Sequence, residues 1–446
     1  MKKITVEENA VNGLCCSCGV CAAICPRKAI TYREHLGMFV PVIDQEKCVN
    51  CGMCSKICPG FEHKYSEKDE LKKPMDAARG AVLHCYNAWS SDSKIRHVAA
   101  SGGVVTTMIM GLLEKKVYDV AFCVDSYSYD HFLKTNKYTY ESFFEQVKKG
   151  WKTPKSRYLP VSHEETVRYL ISNRQSKVII VAVPCAIRAI ESAIRINQLN
   201  RDNYLLIGLF CERNFQYNIY RYFSSLDGKR KLISMHFKNK ESGGWPGNVK
   251  LFFDDGSSTY KDKSYRVNAK SYFQPERCMY CIDKLAVNAD VSLGDNYTGI
   301  DESILGSNSV IIRTERGNSA WDLCASFIEN HEILYGEIER AEAINDRMIN
   351  LLYAELKKKE LEKDSRYIPP INSGVIVDDI PVEYHEKYQR DLQRLVEGYS
   401  LDDFSSYNNI VLKEERKERL KSYKYVIRSS ISRFVRKIIC YIKQAE

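Results

Sequence analysis

Two copies of one cysteine motif constrain the fold of this chain more than any other feature. Each copy has the spacing C-x-x-C-x-x-C-x-x-x-C followed by proline. The copies are Cys15, Cys18, Cys21, Cys25 and Cys48, Cys51, Cys54, Cys58. Each cysteine recurs after 48 − 15 = 33 residues, so the segment is an internal repeat. A segment of about 60 residues builds too small an apolar core to fold unaided, so a bound metal has to stabilise it.

The motif is that of bacterial ferredoxins, in which the fourth cysteine of each run ligates the other cluster. It predicts one 4Fe–4S cluster on Cys15, Cys18, Cys21 and Cys58, and a second on Cys48, Cys51, Cys54 and Cys25. Structural zinc is the rival interpretation, but zinc has no use for eight thiolates in this paired spacing. Cys16 breaks the spacing, so no ligand role is predicted for it. The resemblance to two-cluster ferredoxins covers about residues 5–65.

Composition places the whole chain among ordinary globular proteins. Of its 446 residues, 44% are hydrophobic and 28% are charged, which excludes a disordered chain or a collagen-like fibre. No apolar run approaches the roughly 20 residues of a membrane span. The first residues turn acidic where a signal peptide would turn apolar. We therefore expect a cytoplasmic protein, in which thiols stay reduced and bind metal.

Hydrophobic periodicity predicts a fold of the α+β or α/β class. Strands at 177–183 and 204–210 flank a helix at 186–199, which makes a βαβ unit with parallel strands. A helix at 104–113 and a strand at 117–124 precede it. The predicted segments are a two-cluster domain (1–65), a linker (66–79), a mixed α/β domain (80–340), a helical extension (341–412) and a basic tail (413–446).

Four further cysteines occur where a parallel sheet binds ligands. Cys185 and Cys211 follow the two predicted parallel strands, whose carboxyl ends share one edge of the sheet. Cys278 and Cys281 form a C-x-x-C pair. These four thiolates suffice for a third 4Fe–4S cluster. The alternative is that Cys185 and Cys211 are small buried hydrophobic residues.

Glycines stand immediately before the helix predicted at 104–113. The sequence Ser101-Gly102-Gly103 lets backbone N–H groups approach a phosphate at a helix N-terminus. An ordinary turn with an N-cap is the other interpretation. The chain has neither a dinucleotide-binding fingerprint nor a P-loop to support the phosphate site.

Short motifs spread over residues 80–340 carry a second resemblance. They are Ala88-Trp89-Ser90-Ser91-Asp92, Ser101-Gly102-Gly103, Lys155-Ser156-Arg157-Tyr158, Pro184-Cys185, Gly208-Leu209-Phe210-Cys211, Trp245-Pro246, Cys278-Met279-Tyr280-Cys281-Ile282-Asp283, Ala289-Asp290 and Gly294-Asp295. Their order and spacing resemble the beta subunit family of coenzyme F-420 hydrogenases and dehydrogenases, which are iron–sulfur flavoproteins. The resemblance implies a flavin-binding domain.

The resemblance also implies positions for the cofactors. It places FAD near Ser101, Gly102, Gly103, Ser156, Arg157 and Tyr158, and a third 4Fe–4S cluster on Cys185, Cys211, Cys278 and Cys281. The chain departs from the family at Ala99-Ala100, where serines are usual, and at Ala182-Val183, where Gly-Thr is usual. Arg157 replaces a lysine, which keeps the charge and changes its geometry. Because of these departures, the resemblance does not identify the organic substrate.

The expected function follows from combining these cofactors. A flavin exchanges a hydride, whereas each cluster carries one electron, so together they convert one chemistry into the other. We expect an FAD-dependent oxidoreductase that passes electrons between a low-potential donor such as a ferredoxin and an organic substrate. The alternative is a non-catalytic electron-transfer subunit of a larger redox complex. No acid or base is assigned, and His97 is the nearest candidate.

The basic tail holds most of the net charge of +9. Residues 413–446 carry 11 Lys+Arg and 4 Glu, with an apolar stripe at helical spacing between Ile427 and Ile442. A basic amphipathic helix fits the inner face of an anionic membrane or a partner, and it can equally dock on its own protein. Nucleic acid is not expected as a partner, because the excess charge is confined to the tail and no binding motif accompanies it.

Overall fold

The computed structural model describes residues 5–60, 74–124, 131–149, 155–363, 380–399 and 407–409, together with Lys413 and Arg416. Apart from those two residues, the predicted basic tail lies outside the described residues, as does most of the predicted linker. Within the described residues, no helix has the length and apolar character needed to cross a membrane.

The structure is mixed α and β throughout. The strands are β1 (Ile30–His35), β2 (Met38–Ile43), β3 (His84–Ser90), β4 (Val120–Val124), β5 (Leu133–Tyr138), β6 (Val161–Ser162), β7 (Val178–Ala182), β8 (Tyr204–Leu209), β9 (Leu232–Asn239), β10 (Asn248–Phe253), β11 (Ser258–Lys261), β12 (Val291–Asp295), β13 (Asn308–Ile312) and β14 (Ile328–Glu332). The α-helices are α1 (Val6–Val11), α2 (Val20–Ile24), α3 (Met53–Ile57), α4 (Pro74–Arg79), α5 (Ser93–Val98), α6 (Val104–Glu114), α7 (Tyr140–Phe144), α8 (Glu164–Ser172), α9 (Pro184–Ile196), α10 (Asn218–Ser225), α11 (Lys263–Ala269), α12 (Glu315–Cys324), α13 (Tyr335–Ala341), α14 (Ile344–Arg347), α15 (Ile349–Lys363) and α16 (Val382–Tyr399).

A nine-stranded mixed sheet organises the large domain. Its order is β14-β3-β13-β12-β8-β7-β4-β5-β6. The four central strands β12, β8, β7 and β4 are parallel to one another. Antiparallel strands flank them at β13 and β5. The carboxyl ends of the four parallel strands therefore lie at one edge, where sheets of this kind bind ligands.

Helices cover both faces of this sheet. On one face α6 and α12 pack, with Met108, Ile109 and Trp321 in a shared apolar core. On the other face α8 and α9 pack through Leu170 and Ile187. The predicted βαβ unit is confirmed as β7-α9-β8, and α9 begins at Pro184, because proline suits the first helical position.

The two-cluster segment docks on the second face. Its residues Val20, Ile24 and Ile57 belong to the same apolar core as α9. Polar contacts fix the junction as well. The Arg277 guanidinium donates to the carbonyl oxygen of Pro59 at 3.1 Å, and the His163 N–H donates to that of Cys18 at 2.8 Å. The repeat thus folds as part of the large structure, which supplies the apolar surface that its own short length lacks.

A separate three-stranded sheet, β11-β10-β9, lies over an aromatic-rich core. Phe215, Phe223 and Phe237 are fully buried there. The described residues of the segment predicted as a helical extension, 341–412, include α14, α15 and α16. The predicted linker differs in part, because residues 74–79 form helix α4, which buries Ala77 and Ala78.

Candidate cluster sites and ligand cavity

One small cavity joins the two copies of the cysteine repeat. Its volume is about 30 Å³. The cysteines in its wall are Cys25, Cys48, Cys51 and Cys54. Cys25 belongs to the first copy and the other three belong to the second. The fold therefore crosses the copies in the way that the ferredoxin spacing predicts.

The other four thiols of the repeat lie more deeply. These residues are Cys15, Cys18, Cys21 and Cys58. The charges of Cys15 and Cys21 both raise the pKa of the Cys58 thiol, and the charge of Cys21 raises the pKa of Cys18. The four residues are therefore neighbours. The charge of Cys54, in the wall of the small cavity, raises the pKa of Cys21. The two sets of four cysteines are therefore adjacent.

Hydrogen-bond donors are aimed at these sulfur atoms. The Asn9 side-chain amide donates to Cys58 Sγ at 3.4 Å, and the Ser17 N–H donates to Cys15 Sγ at 3.3 Å. In the second set, the Ala29 N–H donates to Cys25 Sγ at 3.3 Å. Donors of this kind stabilise thiolate charge and tune the reduction potential of a bound cluster.

A third group of cysteines forms between the repeat and the sheet edge. The charges of Cys278 and Cys281 raise the pKa of Cys211, and the charge of Cys211 raises the pKa of Cys185, so the four residues lie near one another. Helix α15 covers the group, because the Asn350 side chain donates to the carbonyl of Cys281 at 2.7 Å. The structure thus brings together all four residues predicted for a third cluster.

Cys16, for which the spacing predicted no role, lies at the junction of two of these groups. Its thiol lies close to Cys18 on one side and to Cys185 on the other, and both neighbours lower the pKa of Cys16. The sequence held no signal for this position, because Cys185 is brought close only by the docking of the repeat on α9. Cys16 therefore bridges the first and third groups.

Burial makes these thiols hold their protons more tightly than a thiol in water does. Burial raises the pKa of Cys21 to about 12, and it raises the pKa values of Cys58 and Cys211 above their usual range. A buried thiol keeps its proton unless a cation replaces it, so binding a cluster there releases protons. Across the described residues, no three His, Cys, Asp or Glu side chains converge closely enough for a single metal ion. A cubane suits a wider spacing, because each thiolate meets a different iron.

A large cavity opens at the carboxyl ends of the parallel strands. Its volume is about 450 Å³, within the range of cofactor pockets. The wall includes the last residue of three strands, namely Val124 of β4, Ala182 of β7 and Asp295 of β12. Cys211 of the third cysteine group is also part of this wall. The cavity and the third group are therefore in direct contact.

The Ser101–Gly103 turn forms one side of the cavity. Gly102 is tightly enclosed, because a Cβ there would lie 2.7 Å from Asn308 Oδ1 and 2.8 Å from the carbonyl oxygen of Ala88. Gly103 has a φ of 85° and is the N-cap residue of α6, and the N–H of Val104 donates to Asn308 Oδ1 at 3.5 Å. Ser101 and Gly103 line the cavity, and Gly102 does not. The first turn of α6 also lines the cavity, so its helix dipole favours an anion there.

A buried lysine holds this turn in place. Lys240 is 6% exposed. Its ammonium group donates to the carbonyl oxygens of Arg96, Ser101 (2.9 Å) and Leu305 (2.7 Å). Burial, together with the charges of Lys155 and Arg96, lowers the pKa of Lys240 to about 7. Sequence reasoning missed this residue, because its partners are main-chain atoms of distant segments.

The predicted segment Ser156–Tyr158 forms another side of the cavity. All three of its residues line the wall, and Arg157 is only 3% exposed. Arg157 Nη1 donates to the carbonyl of Lys155 at 2.8 Å. Tyr158 has a φ of 55°, and its ring packs near Phe237 with the Arg266 guanidinium 5.6 Å from its centroid.

The wall carries more positive than negative charge. Its basic residues are Lys155, Arg157, Arg213, Lys238, Arg266, Lys270 and Lys284, and its acidic residues are Glu212, Asp295 and Glu342. The acidic groups pair with lysines, in the pairs Lys238–Asp295, Lys270–Glu212 and Lys284–Glu342. Seven cations against three carboxylates leave a formal excess of four positive charges, so an anionic ligand such as a diphosphate is favoured.

His163, and not His97, is the histidine of the cavity. His97 is exposed on α5 and does not line the wall. The ring of His163 lines the wall at 3% exposure, and its Nδ1 has no hydrogen-bond partner among the described residues. Burial lowers the pKa of His163 to about 4, so the ring is neutral. No sequence pattern pointed to His163, because it lies in a loop between β6 and α8.

Sequence models of known families match most of the chain. Residues 14–60 match the 4Fe-4S dicluster domain. Residues 85–167 and 175–338 match the N-terminal and C-terminal regions of the coenzyme F420 hydrogenase/dehydrogenase beta subunit. The chain belongs to this family. The resemblance drawn from short motifs is thereby confirmed, and the protein is an iron–sulfur redox member of the family.

Two relatives illustrate its distance from known proteins. An uncharacterized protein of Methanocaldococcus jannaschii is 24% identical over 398 residues, which cover 80% of this chain and 97% of that protein. A chain of the F420-reducing [NiFe] hydrogenase complex from Methanosarcina barkeri is 19% identical. The similarity covers 67% of this chain and 99% of that chain, with a TM-score of 0.49.

Proposed function

We propose that this protein is an iron–sulfur flavoprotein oxidoreductase that passes electrons between a one-electron donor protein and an organic substrate of the hydride-accepting type. One observation carries the proposal. Cys211 belongs to the third cysteine group and also to the wall of the large cavity, so electrons and a bound organic molecule meet at one place. The first two groups continue from there to the outer part of the repeat.

The residues fit the cofactors that this function requires. Two 4Fe–4S clusters would be held by Cys15, Cys18, Cys21 and Cys58, and by Cys48, Cys51, Cys54 and Cys25. A third would be held by Cys185, Cys211, Cys278 and Cys281. FAD would lie in the large cavity against Ser101, Gly103, Ser156, Arg157 and Tyr158, whereas the predicted contact Gly102 lies behind the wall. When bound, FAD supplies the exchange between hydride and single-electron chemistry.

The chain's own groups then have defined tasks. The excess cations and the N-terminal end of α6 bind the diphosphate of the cofactor. Lys240 keeps the glycine turn close to that helix end. The neutral His163 ring offers a hydrogen-bonding nitrogen on the wall nearest to the repeat, and the apolar strand ends exclude water from the reacting groups.

The departures from the family pattern bear on the substrate. Ala99, Ala100, Ala182 and Val183 all line the large cavity. Each places a methyl or isopropyl group where the family usually has a hydroxyl group or a glycine. Because this part of the wall offers fewer hydrogen-bond partners, we propose a substrate that is less polar there than the family's usual one.

Counting iron and flavin tests the proposal. Three clusters and one flavin require about 12 iron atoms and one FAD per chain in anaerobically prepared protein. The variant Cys211→Ala is expected to lose about four irons, whereas Cys324→Ala, which changes a buried cysteine in the core under α6, retains all of them. About eight irons and no flavin after reconstitution would instead support the alternative of an electron-transfer subunit without substrate chemistry.

A further inference from the structure

The second cysteine group is the most exposed part of the electron path. Cys51 is exposed, whereas Cys21 of the first group is buried. The first group is covered by the large domain through Arg277 and His163, and α15 covers the third group. Among the described residues, the second group therefore offers the shortest approach from solvent to a cluster.

The surface around this group is basic. Four exposed cations lie on it, namely Arg27, Lys28, Lys47 and Lys56. Arg27 lines the small cavity itself. Lys28 follows it directly, Lys47 precedes Cys48, and Lys56 lies on α3 two residues after Cys54. We call these four residues the basic rim.

Two acidic residues, Asp44 and the exposed Glu46, lie beside one end of the basic rim. Lys47 forms an ion pair with Asp44 at 2.7 Å. Within the described part of the chain, no ion pair engages Arg27, Lys28 or Lys56. The rim therefore keeps most of its positive charge for a binding partner.

An exposed apolar residue stands within the basic rim. Val49 is 59% exposed, although it also lines the small cavity. An apolar centre surrounded by charge is the usual anatomy of a protein-binding surface. Short-lived electron-transfer complexes bury little area and rely on complementary charge to form quickly.

We propose that an acidic one-electron carrier protein docks on the basic rim and delivers its electrons to the cluster held by Cys25, Cys48, Cys51 and Cys54. This proposal rests on the proposed function, because it needs that cluster. The acidic surface of the carrier pairs with the rim, and Val49 contacts it at the centre. In each encounter the carrier would give up one electron to a cluster held by these four cysteines, so the carrier would be oxidised by one electron.

Charge reversal on the full chain tests the docking surface. The variant Lys28→Glu/Lys56→Glu changes two cations that do not line the cavity. The matched control Lys229→Glu/Lys263→Glu makes the same change in net charge on exposed lysines near the three-stranded sheet. Absorption spectra and iron content establish that each reconstituted variant retains its clusters.

Stopped-flow reduction by a reduced, acidic two-cluster ferredoxin is the kinetic measurement. At low ionic strength we expect the rim variant to react at least about tenfold more slowly than the wild-type protein, and the control to match the wild type. Added salt slows the wild type and leaves the rim variant nearly unchanged. Calorimetry with the oxidised ferredoxin is expected to give a dissociation constant about tenfold higher for the rim variant.

Equal rates for the rim variant and its control, or a wild-type rate that does not depend on salt, overturn the docking surface. Reduced methyl viologen, a cationic donor, separates this failure from failure of the proposed function. It reduces every variant if the clusters accept electrons. If it does not reduce the wild-type clusters, the proposed function fails and the docking proposal fails with it.

Discussion

The amine of Lys155 is expected to make ligand binding in the large cavity depend on pH. Burial, together with the charge of the neighbouring Arg157, lowers the pKa of Lys155 to about 8. Because this pKa is depressed, the positive charge is present below about pH 8 and is lost as the pH rises through that value. The protonated fraction falls from about 0.9 at pH 7 to about 0.1 at pH 9.

This loss of charge predicts weaker binding of an anionic cofactor. If the diphosphate of FAD binds the protonated amine, the dissociation constant rises about tenfold between pH 7 and pH 9. Titration of flavin-free protein with FAD under anaerobic conditions, followed by flavin fluorescence, measures the change. The variant Lys155→Arg keeps its charge over this range, so its dissociation constant is expected to stay nearly constant.

Two results would refute this reasoning. One is a wild-type dissociation constant that does not change between pH 7 and pH 9. The other is an equal tenfold rise in Lys155→Arg, because the titrating group would then be elsewhere. The charge of Glu241 raises the pKa of Lys155 and the charge of Lys250 lowers it, so substitutions at these two positions would also shift the pKa of Lys155.

Other substitutions test the framework of the site. Gly102→Ala forces a Cβ into main-chain atoms, so we expect a loss of about 1–3 kcal/mol in thermal unfolding, whereas Gly336→Ala, which meets no atom within 4 Å, gains about 0.5–1 kcal/mol. Asp290→Asn is expected to cost about 3 kcal/mol in urea unfolding, because this fully buried carboxylate pairs with two arginines. Asp202→Asn, an 82%-exposed partner of Arg316, is expected to cost under about 1 kcal/mol. Equal losses at Asp290 and Asp202 would contradict the role of burial.

Local patterns predicted the elements that position the site. The strands β7 and β8 and the helix α9 lie within a few residues of their predicted bounds, because continuous apolar runs and helical spacing are local signals. The strand predicted at 117–124 is shorter and begins at Val120. The antiparallel strands β3, β13 and β14 were not predicted, since pairing between segments more than 200 residues apart leaves no local pattern.

The cavity wall was predicted only in part. The Ser101–Gly103 turn was found from its position before a predicted helix, and the Ser156–Tyr158 segment through the family resemblance. Lys238, Lys240 and His163 were not predicted. The neutral His163 replaced His97 as the histidine of the site, because exposure and orientation depend on how loops pack. A single histidine or lysine in a loop or strand has no distinctive spacing, so sequence reasoning had no means to select it.

The sequence by itself determined the cluster chemistry. Ligand spacing along a short loop is fixed by covalent geometry, so two cysteine repeats predict two clusters before any fold is known. Only the tertiary structure decided where those groups lie. It placed Cys16 against Cys185, brought Cys211 to the cavity wall, and left Cys51 exposed beside the basic rim. These relations depend on the docking of the repeat upon α9, and burial between distant segments is a property that no local pattern encodes.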